Sequence, residues 1–275
     1  APLLYAISIM QPTQNTDSSD AADSSDAVDA DFEGVTFLTP FDPHDPRYQV
    51  PFKWTRGPNK ESKHWRPDDE TPNVATMFRR LARHQENKSK DGLAFVLGEM
   101  VPGPRLKTAV KALYAIGLDF DKGTDPAVID AAMTALGCAC IRYSTHSNGT
   151  MRDEFKRDEV VKFAPDAEKI DTALMRRFLA EKEGWDARIV ATVEFVDEIH
   201  NTRGMMVRVS FAPMPKNRVV IPLAGPVVIK DLARTQKEAM DKWTKFPPAT
   251  AALMGLRDAL DMTGTDPARL FFSPR

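Results

Sequence analysis

The sequence predicts an α+β fold. Strand-like apolar runs and segments with helical periodicity are mixed along the chain rather than strictly alternating, which argues against a doubly wound sheet. Near the middle, a strand, a helix and a second strand follow one another from residue 113 to 149, and such a crossover predicts parallel strands. With 275 residues, 42% of them hydrophobic, the chain can build one sizeable domain or two small ones.

Taken in order, "APLLYAISIM" reads as a strand or tether, because it is short, lacks a basic start and leads into acidic sequence. Residues 13–33 are almost all Asp, Ser and Ala and cannot bury enough apolar surface to offset their ordering entropy. Residues 1–33 are therefore expected as a flexible acidic segment ahead of a domain spanning 34–275. A Pro-rich, aromatic and basic tract follows over 40–72, too interrupted for one helix. Its Trp54, Arg56, Lys60, Lys63, Trp65 and Arg66 suit either a nucleic-acid grip, with stacked bases, or an irregular packed segment with a solvated basic face.

"NVATMFRRLARHQ" places Val74, Met77, Phe78 and Leu81 at helical spacing. "GLAFVLGEM" predicts one short buried strand. "RLKTAVKALYAIGLDFD" leads into the next. "DPAVIDAAMTALG" predicts a helix capped by Asp125, begun by Pro126 and ended by Gly137. "CACIRYSTHSNG" predicts the second crossover strand. Beyond it, "IDTALMRRFLAEKEG", "KDLARTQKEAMDKWTKF" and "TAALMGLRDAL" predict helices. "ARIVATVEFVDEI", "GMMVRVSF", "RVVIPL" and "RLFFSP" predict strands, with "GMMVRVSF" and "RVVIPL" as a hairpin through "APMPKN".

Bulk chemistry excludes several classes. The formal charge of −2 rules out a basic coat, so any nucleic-acid contact must be a local patch. No apolar run approaches the ~20 residues of a membrane span. Cys138 and Cys140 are the only cysteines and read as buried thiols in a reducing, cytoplasmic compartment.

The chemical signal is "LYAIGLDFDKGTDP", residues 113–126. In a strand, Asp119 and Asp121 share one face about 6.7 Å apart, with Leu118 and Phe120 on the other. Gly123 lets the chain turn away. Paired carboxylates at the end of a strand suit hard divalent cations, which take oxygen ligands. The parallel partner strand brings Ser144 and His146 to the same edge, where ligands gather in such units. D-x-D alone leaves other readings open. A calcium loop needs Gly where Thr124 stands. A phosphatase of the haloacid dehalogenase type expects Thr or Val where Gly123 stands. A structural turn needs no ligand.

The ordered set "GLDFD", "YSTHSN", "RVVIPL" and "LDMTGTDPARLFFSPR" resembles the archaeo-eukaryotic primase superfamily, in its primase-polymerase branch from phages and mobile elements. The likeness runs from about Lys90 to the end of the chain. Asp119 and Asp121 fall on that family's first motif, Ser144 and His146 on the second, and Asp261 on the third acid. Arg218 opens the strand after the histidine, and Arg269 and Pro274 follow the third acid. The resemblance implies a primase-like, RRM-like catalytic sheet with flanking helices and a template-dependent nucleotidyltransferase activity. Asp119, Asp121 and Asp261 would hold two Mg²⁺ or Mn²⁺ ions. Ser144, His146, Arg218 and Arg269 would contact the nucleoside triphosphate, and DNA template and primer would be the partners.

There are departures. About seventy residues separate His146 from Arg218, so 153–216 is expected as an insertion or elaborated hairpin, and Asn148 stands where many relatives have a second histidine. No G-x-x-x-x-G-K-[ST] loop occurs, so a helicase domain or protein outside this sequence is an expected partner. A metal-dependent phosphohydrolase and a non-catalytic nucleic-acid-binding module are the competing functions.

Overall fold

A computed structural model describes residues 6–9, 35–37, 42, 44–82 and 92–272. The expected flexible segment 1–33 lies outside these residues apart from one short strand, and Pro274 lies outside them too. The strands are β1 (Ala6–Ile9), β2 (Val35–Phe37), β3 (Thr55–Gly57), β4 (Arg66–Pro67), β5 (Ala94–Val96), β6 (Gly98–Met100), β7 (Val110–Phe120), β8 (Cys140–Ser144), β9 (Thr150–Lys156), β10 (Glu194–Asn201), β11 (Gly204–Met214), β12 (Asn217–Val228) and β13 (Phe271–Phe272). The α-helices are α1 (Val74–Ala82), α2 (Pro126–Leu136), α3 (Arg157–Phe163), α4 (Thr172–Glu181), α5 (Ala187–Val190), α6 (Ile229–Leu232), α7 (Gln236–Trp243) and α8 (Phe246–Leu253). The protein is α+β.

The central sheet has the order β2-β1-β8-β12-β7-β6. β7 and β8 run parallel, but they do not touch: β12 lies between them, antiparallel to both. The expected crossover is therefore split by a strand from much later in the chain. Both faces of this sheet are covered, which is why β7 is nearly continuous in its apolar character. Leu118, Phe120, Val219 and Ile221 pack on one face with Ile129 and Met133 of α2 and Trp243 of α7. Ala115, Ile141, Tyr143 and Val220 pack on the other with Phe78 of α1, Phe52, Phe95 and Phe271. Each fully buried side chain of this kind contributes about 1.5–3 kcal/mol. The helix α2 is set locally, as expected: Asp125 accepts from the Ala127 N–H, Pro126 opens the first turn, and Gly137 closes it in the left-handed region.

A second sheet, β10-β11-β9, fills the connection between β8 and β12. Its buried side chains, among them Val207, Val209 and Phe211, pack on Phe178 and Leu179 of α4, Val160 of α3 and Ile189 of α5. It thus has a hydrophobic core of its own. A third sheet, β13-β5-β3-β4, ties residues 271–272 to the aromatic tract.

Several expectations are corrected. "GMMVRVSF" and "RVVIPL" are not a hairpin: β11 pairs with β9 and β10, whereas β12 pairs with β7 and β8. Pro213 and Pro215 lack the N–H groups a tight hairpin would use, and the chain passes from one sheet to the other there. "GLAFVLGEM" is two strands in different sheets. A Cβ on Gly98 would meet the Ala112 carbonyl at 2.3 Å, so this residue lies against β7 while β5 pairs with β3 and β13. "ARIVATVEFVDEI" divides into α5 and β10, and "KDLARTQKEAMDKWTKF" into α6 and α7. "TAALMGLRDAL" ends its α-helix at Leu253 and continues as a 3-10 turn over Arg257–Ala259. Trp54 and Trp65 are buried and donate to the Asp68 carboxylate and the Ser62 carbonyl, so the aromatic tract is a packed segment whose indoles are not free to stack on bases.

Candidate functional site

The C-terminal ends of β7 and β8 reach the same sheet edge, and register decides what each presents. Asp119 stands opposite Arg218, which stands opposite Tyr143. Cross-strand partners share a face. Tyr143 is therefore on the carboxylate face, while Ser144, opposite Asn217 and Phe120, is on the other. The second strand thus brings Ser144 to the expected edge, on the face opposite Asp119. Strand geometry stops at Ser144. The chain then turns through 146–149, and this turn carries His146, exposed, to the mouth of the site.

One cavity of about 690 Å³ collects the predicted residues: Asp121, Ser144, His146, Arg218 and Arg269 line it, with Lys60 from the basic tract and Arg105. That volume suits a nucleotide-sized ligand. Asp119 lies beneath, 1% exposed. Its Oδ1 accepts from Arg218 Nε at 2.5 Å, and its Oδ2 lies 3.5 Å from Arg269 Nη2. The backbone joins the third acid to the first, since the Asp261 N–H donates to the Asp119 carbonyl at 2.8 Å. The side chains of Asp119 and Asp261 both approach Arg269 Nη2, the latter at 3.9 Å.

The three acids differ in their partners. Asp261 accepts from the Thr263 N–H at 2.9 Å and from Thr263 Oγ1 at 2.6 Å, capping the 3-10 turn Met262–Thr265. It therefore has a local structural task that the sequence argument did not assign to it. Asp121 has a buried Oδ1 with no hydrogen-bond donor among the described residues. Burial and then the charge of Asp119 hold its carboxyl above the usual carboxylate range; Lys216 and Arg218 pull the other way, and Asp261 adds to the rise. Asp121 thus feels both other carboxylates across the site.

The two arginines differ as well. Burial alone would favour neutral Arg218, but the adjacent Asp119 more than offsets it and keeps the guanidinium charged. That guanidinium also lies 4.5 Å from the Phe271 ring centroid. Arg269 is held loosely. Its Nε is buried without a partner among the described residues, and its side-chain contacts to the Thr263 carbonyl, Asp119 and Asp261 are 3.4, 3.5 and 3.9 Å.

As the side chains stand, no group of three or more His, Cys, Asp or Glu among the described residues converges on a point that could hold a metal ion. The donor chemistry nevertheless fits a hard cation: the acids offer only oxygen, and a buried Asp121 oxygen lacks any donor among the described residues.

Sequence reasoning missed Arg105, whose Nη1 donates to the Ala268 carbonyl at 2.6 Å and whose guanidinium lies over Trp65. It also missed Tyr143 and Thr263 in the cavity wall. No local signal marks Arg105 or Tyr143, because each reaches the site through partners distant in sequence, whereas Thr263 is tied to its neighbour Asp261. Asn148 has a structural role: its Oδ1 accepts from the Lys216 N–H at 2.9 Å, pinning the turn that carries His146 to the chain entering β12.

Two further features fix the edge. Gly123 has φ of +87°, and a Cβ there would meet Ile189 Cγ1 at 2.6 Å. The loop after Asp121 therefore turns left-handed and packs directly on the second sheet's α5, where Asp186 N–H donates to the Lys122 carbonyl and Arg188 pairs with Asp125. Among the described residues, no helix is long and apolar enough to cross a membrane. No family model, no curated protein and no solved structure matches this chain.

Proposed function

We propose that this chain is a template-dependent nucleotidyltransferase, a DNA primase-polymerase with the primase-like fold of phage and mobile-element replication systems, working in the cytoplasm. The observation that carries the proposal is convergence. Residues from four separate stretches of sequence, Asp121, Ser144 and His146, Arg218, and Arg269, line one cavity, and Asp119, buried beside Arg218 and Arg269, accepts from the Asp261 N–H.

Asp119, Asp121 and Asp261 would hold Mg²⁺ or Mn²⁺. Bound there, the cations supply Lewis-acid activation of a primer 3′-hydroxyl and neutralisation of the departing pyrophosphate. The protein's own contribution is positioning. Lys60, Arg105 and Arg269 present positive charge to the cavity for the triphosphate of the incoming nucleotide, and His146 at the mouth is free to donate to it. Arg218 holds the Asp119 carboxylate in a fixed orientation. Template and primer DNA and, outside this sequence, a helicase are the partners this reading names.

The phosphohydrolase alternative makes Asp119 a nucleophile. A carboxylate 1% exposed, with an arginine on each oxygen, is poorly placed to attack a phosphate ester. The deciding assay uses primed and unprimed DNA templates, all nucleoside triphosphates and Mg²⁺ or Mn²⁺. Metal-dependent extension that Asp121→Asn abolishes is the expected result. Phosphate release from a simple ester, without extension, would refute the transferase reading.

A further inference from the structure

We infer that Arg269 is an exchangeable counter-ion for the carboxylate cluster: it neutralises Asp119 and Asp261 while the site is empty of cation, and leaves them for the nucleotide's phosphates when a divalent cation binds. This rests on the transferase reading and adds a coupling between metal and nucleotide binding that the reading itself does not require.

Asp119, Asp121 and Asp261 bring three negative charges to one sheet edge, and Arg218 and Arg269 bring two positive ones. One net negative charge remains, so a divalent cation added to the intact cluster would leave it positive. The same cation in place of the Arg269 guanidinium leaves it neutral. Exchange therefore ends at neutrality where simple addition ends at a net positive charge.

The contacts then say which arginine exchanges. Arg218 is anchored: a 2.5 Å bond to Asp119, a ring face at 4.5 Å and a buried side chain hold it. Arg269 is not. Among the described residues its side chain has no polar contact shorter than 3.4 Å and its Nε has no partner, and that side chain is 32% exposed on the cavity wall. Its position relative to the acids is also informative. Nη2 stands 3.5 Å from Asp119 and 3.9 Å from Asp261, so one guanidinium corner serves both acids. Long, shared, partly solvated contacts cost little to break.

The consequence is positive coupling. A cation must displace Arg269 from the acids, and a triphosphate must attract Arg269 away from them. Whichever binds first removes an obstacle to the other, and the reciprocity is thermodynamically required. Without nucleotide the protein should bind cation weakly.

The test measures Mn²⁺ binding to the nucleotide-free chain by the free-ion electron paramagnetic resonance signal. Wild type, Arg269→Ala and Arg269→Gln are compared, each first checked by thermal melting. Removing one positive charge about 4 Å from the acids should tighten Mn²⁺ binding by about tenfold in both variants. In EDTA, both should bind a nucleoside triphosphate several-fold more weakly than wild type. Asp121→Asn should lose the tightened binding in the Arg269→Ala background, which assigns the ion to this cluster. Mn²⁺ binding that is unchanged or weaker in both variants overturns the exchange and leaves the transferase reading standing. If wild type and variants bind neither Mn²⁺ nor nucleotide, the transferase reading itself fails, and the exchange with it.

Discussion

Replacing Arg218 by Met should destabilise the protein far more than replacing Arg269 by Met, although both arginines contact Asp119. Arg218 and Asp119 form a buried pair whose side chains are 10% and 1% exposed. Removing one partner of such a pair leaves an uncompensated buried charge, at about 3–5 kcal/mol. The remaining contact of Asp119 to Arg269 at 3.5 Å offsets some of this, so the lower end, about 3 kcal/mol, is the expected loss. For a chain of this size each kcal/mol moves the melting temperature by about 2–4 °C, giving a fall of roughly 6–12 °C. The Arg269 side chain makes only long polar contacts among the described residues and is 32% exposed, so Arg269→Met should cost no more than about 1 kcal/mol. Thermal melts followed by circular dichroism in EDTA at neutral pH measure both. Adding Asp119→Asn to Arg218→Met should recover part of the loss, because the stranded charge is then gone. Equal shifts for the two arginine variants, or no recovery in the double variant, would refute the anchored-versus-loose distinction.

Asp121→Asn should raise the melting temperature of the cation-free protein at neutral pH. Burial and Asp119 raise the Asp121 pKa above its ordinary 3.8, so the folded state holds the proton more tightly than the unfolded state, and its stability contribution is lost as pH rises through the raised value. The variant's advantage should accordingly vanish on acidification towards pH 3.8, and a pH-independent advantage would contradict the cause given. Gly123→Ala should cost roughly 2–4 kcal/mol, from the left-handed backbone and the overlap with Ile189. Hydrogen exchange of residues 186–193 should rise in that variant, and unchanged protection would remove the packing role of the glycine. His146→Ala, at an exposed turn, should leave the melting temperature unchanged and raise the nucleotide KM in primer extension; an unchanged KM and turnover would remove His146 from the nucleotide site.

Local physics made part of this protein legible from sequence alone. The cap, first-turn proline and terminal glycine of α2 act within a few residues, so Asp125, Pro126 and Gly137 appear where expected. Period-two alternation likewise placed Leu118 and Phe120 opposite Asp119, and both are buried; Asp121 lies one residue beyond the end of β7. Tertiary structure decided what those carboxylates meet. The insertion of β12 between β7 and β8 depends on pairing across roughly a hundred residues, and it delivers Arg218 to Asp119. A one-residue change of register exchanges faces, so no local signal could say that Tyr143, not Ser144, shares the carboxylate side. The passage from β11 to β12 and the break at Leu97 are settled by which sheet completes the hydrogen bonds of each strand. The position of Arg269 between two acids separated by more than a hundred residues follows from that same assembly, because charge attraction acts through space and leaves no mark on sequence spacing.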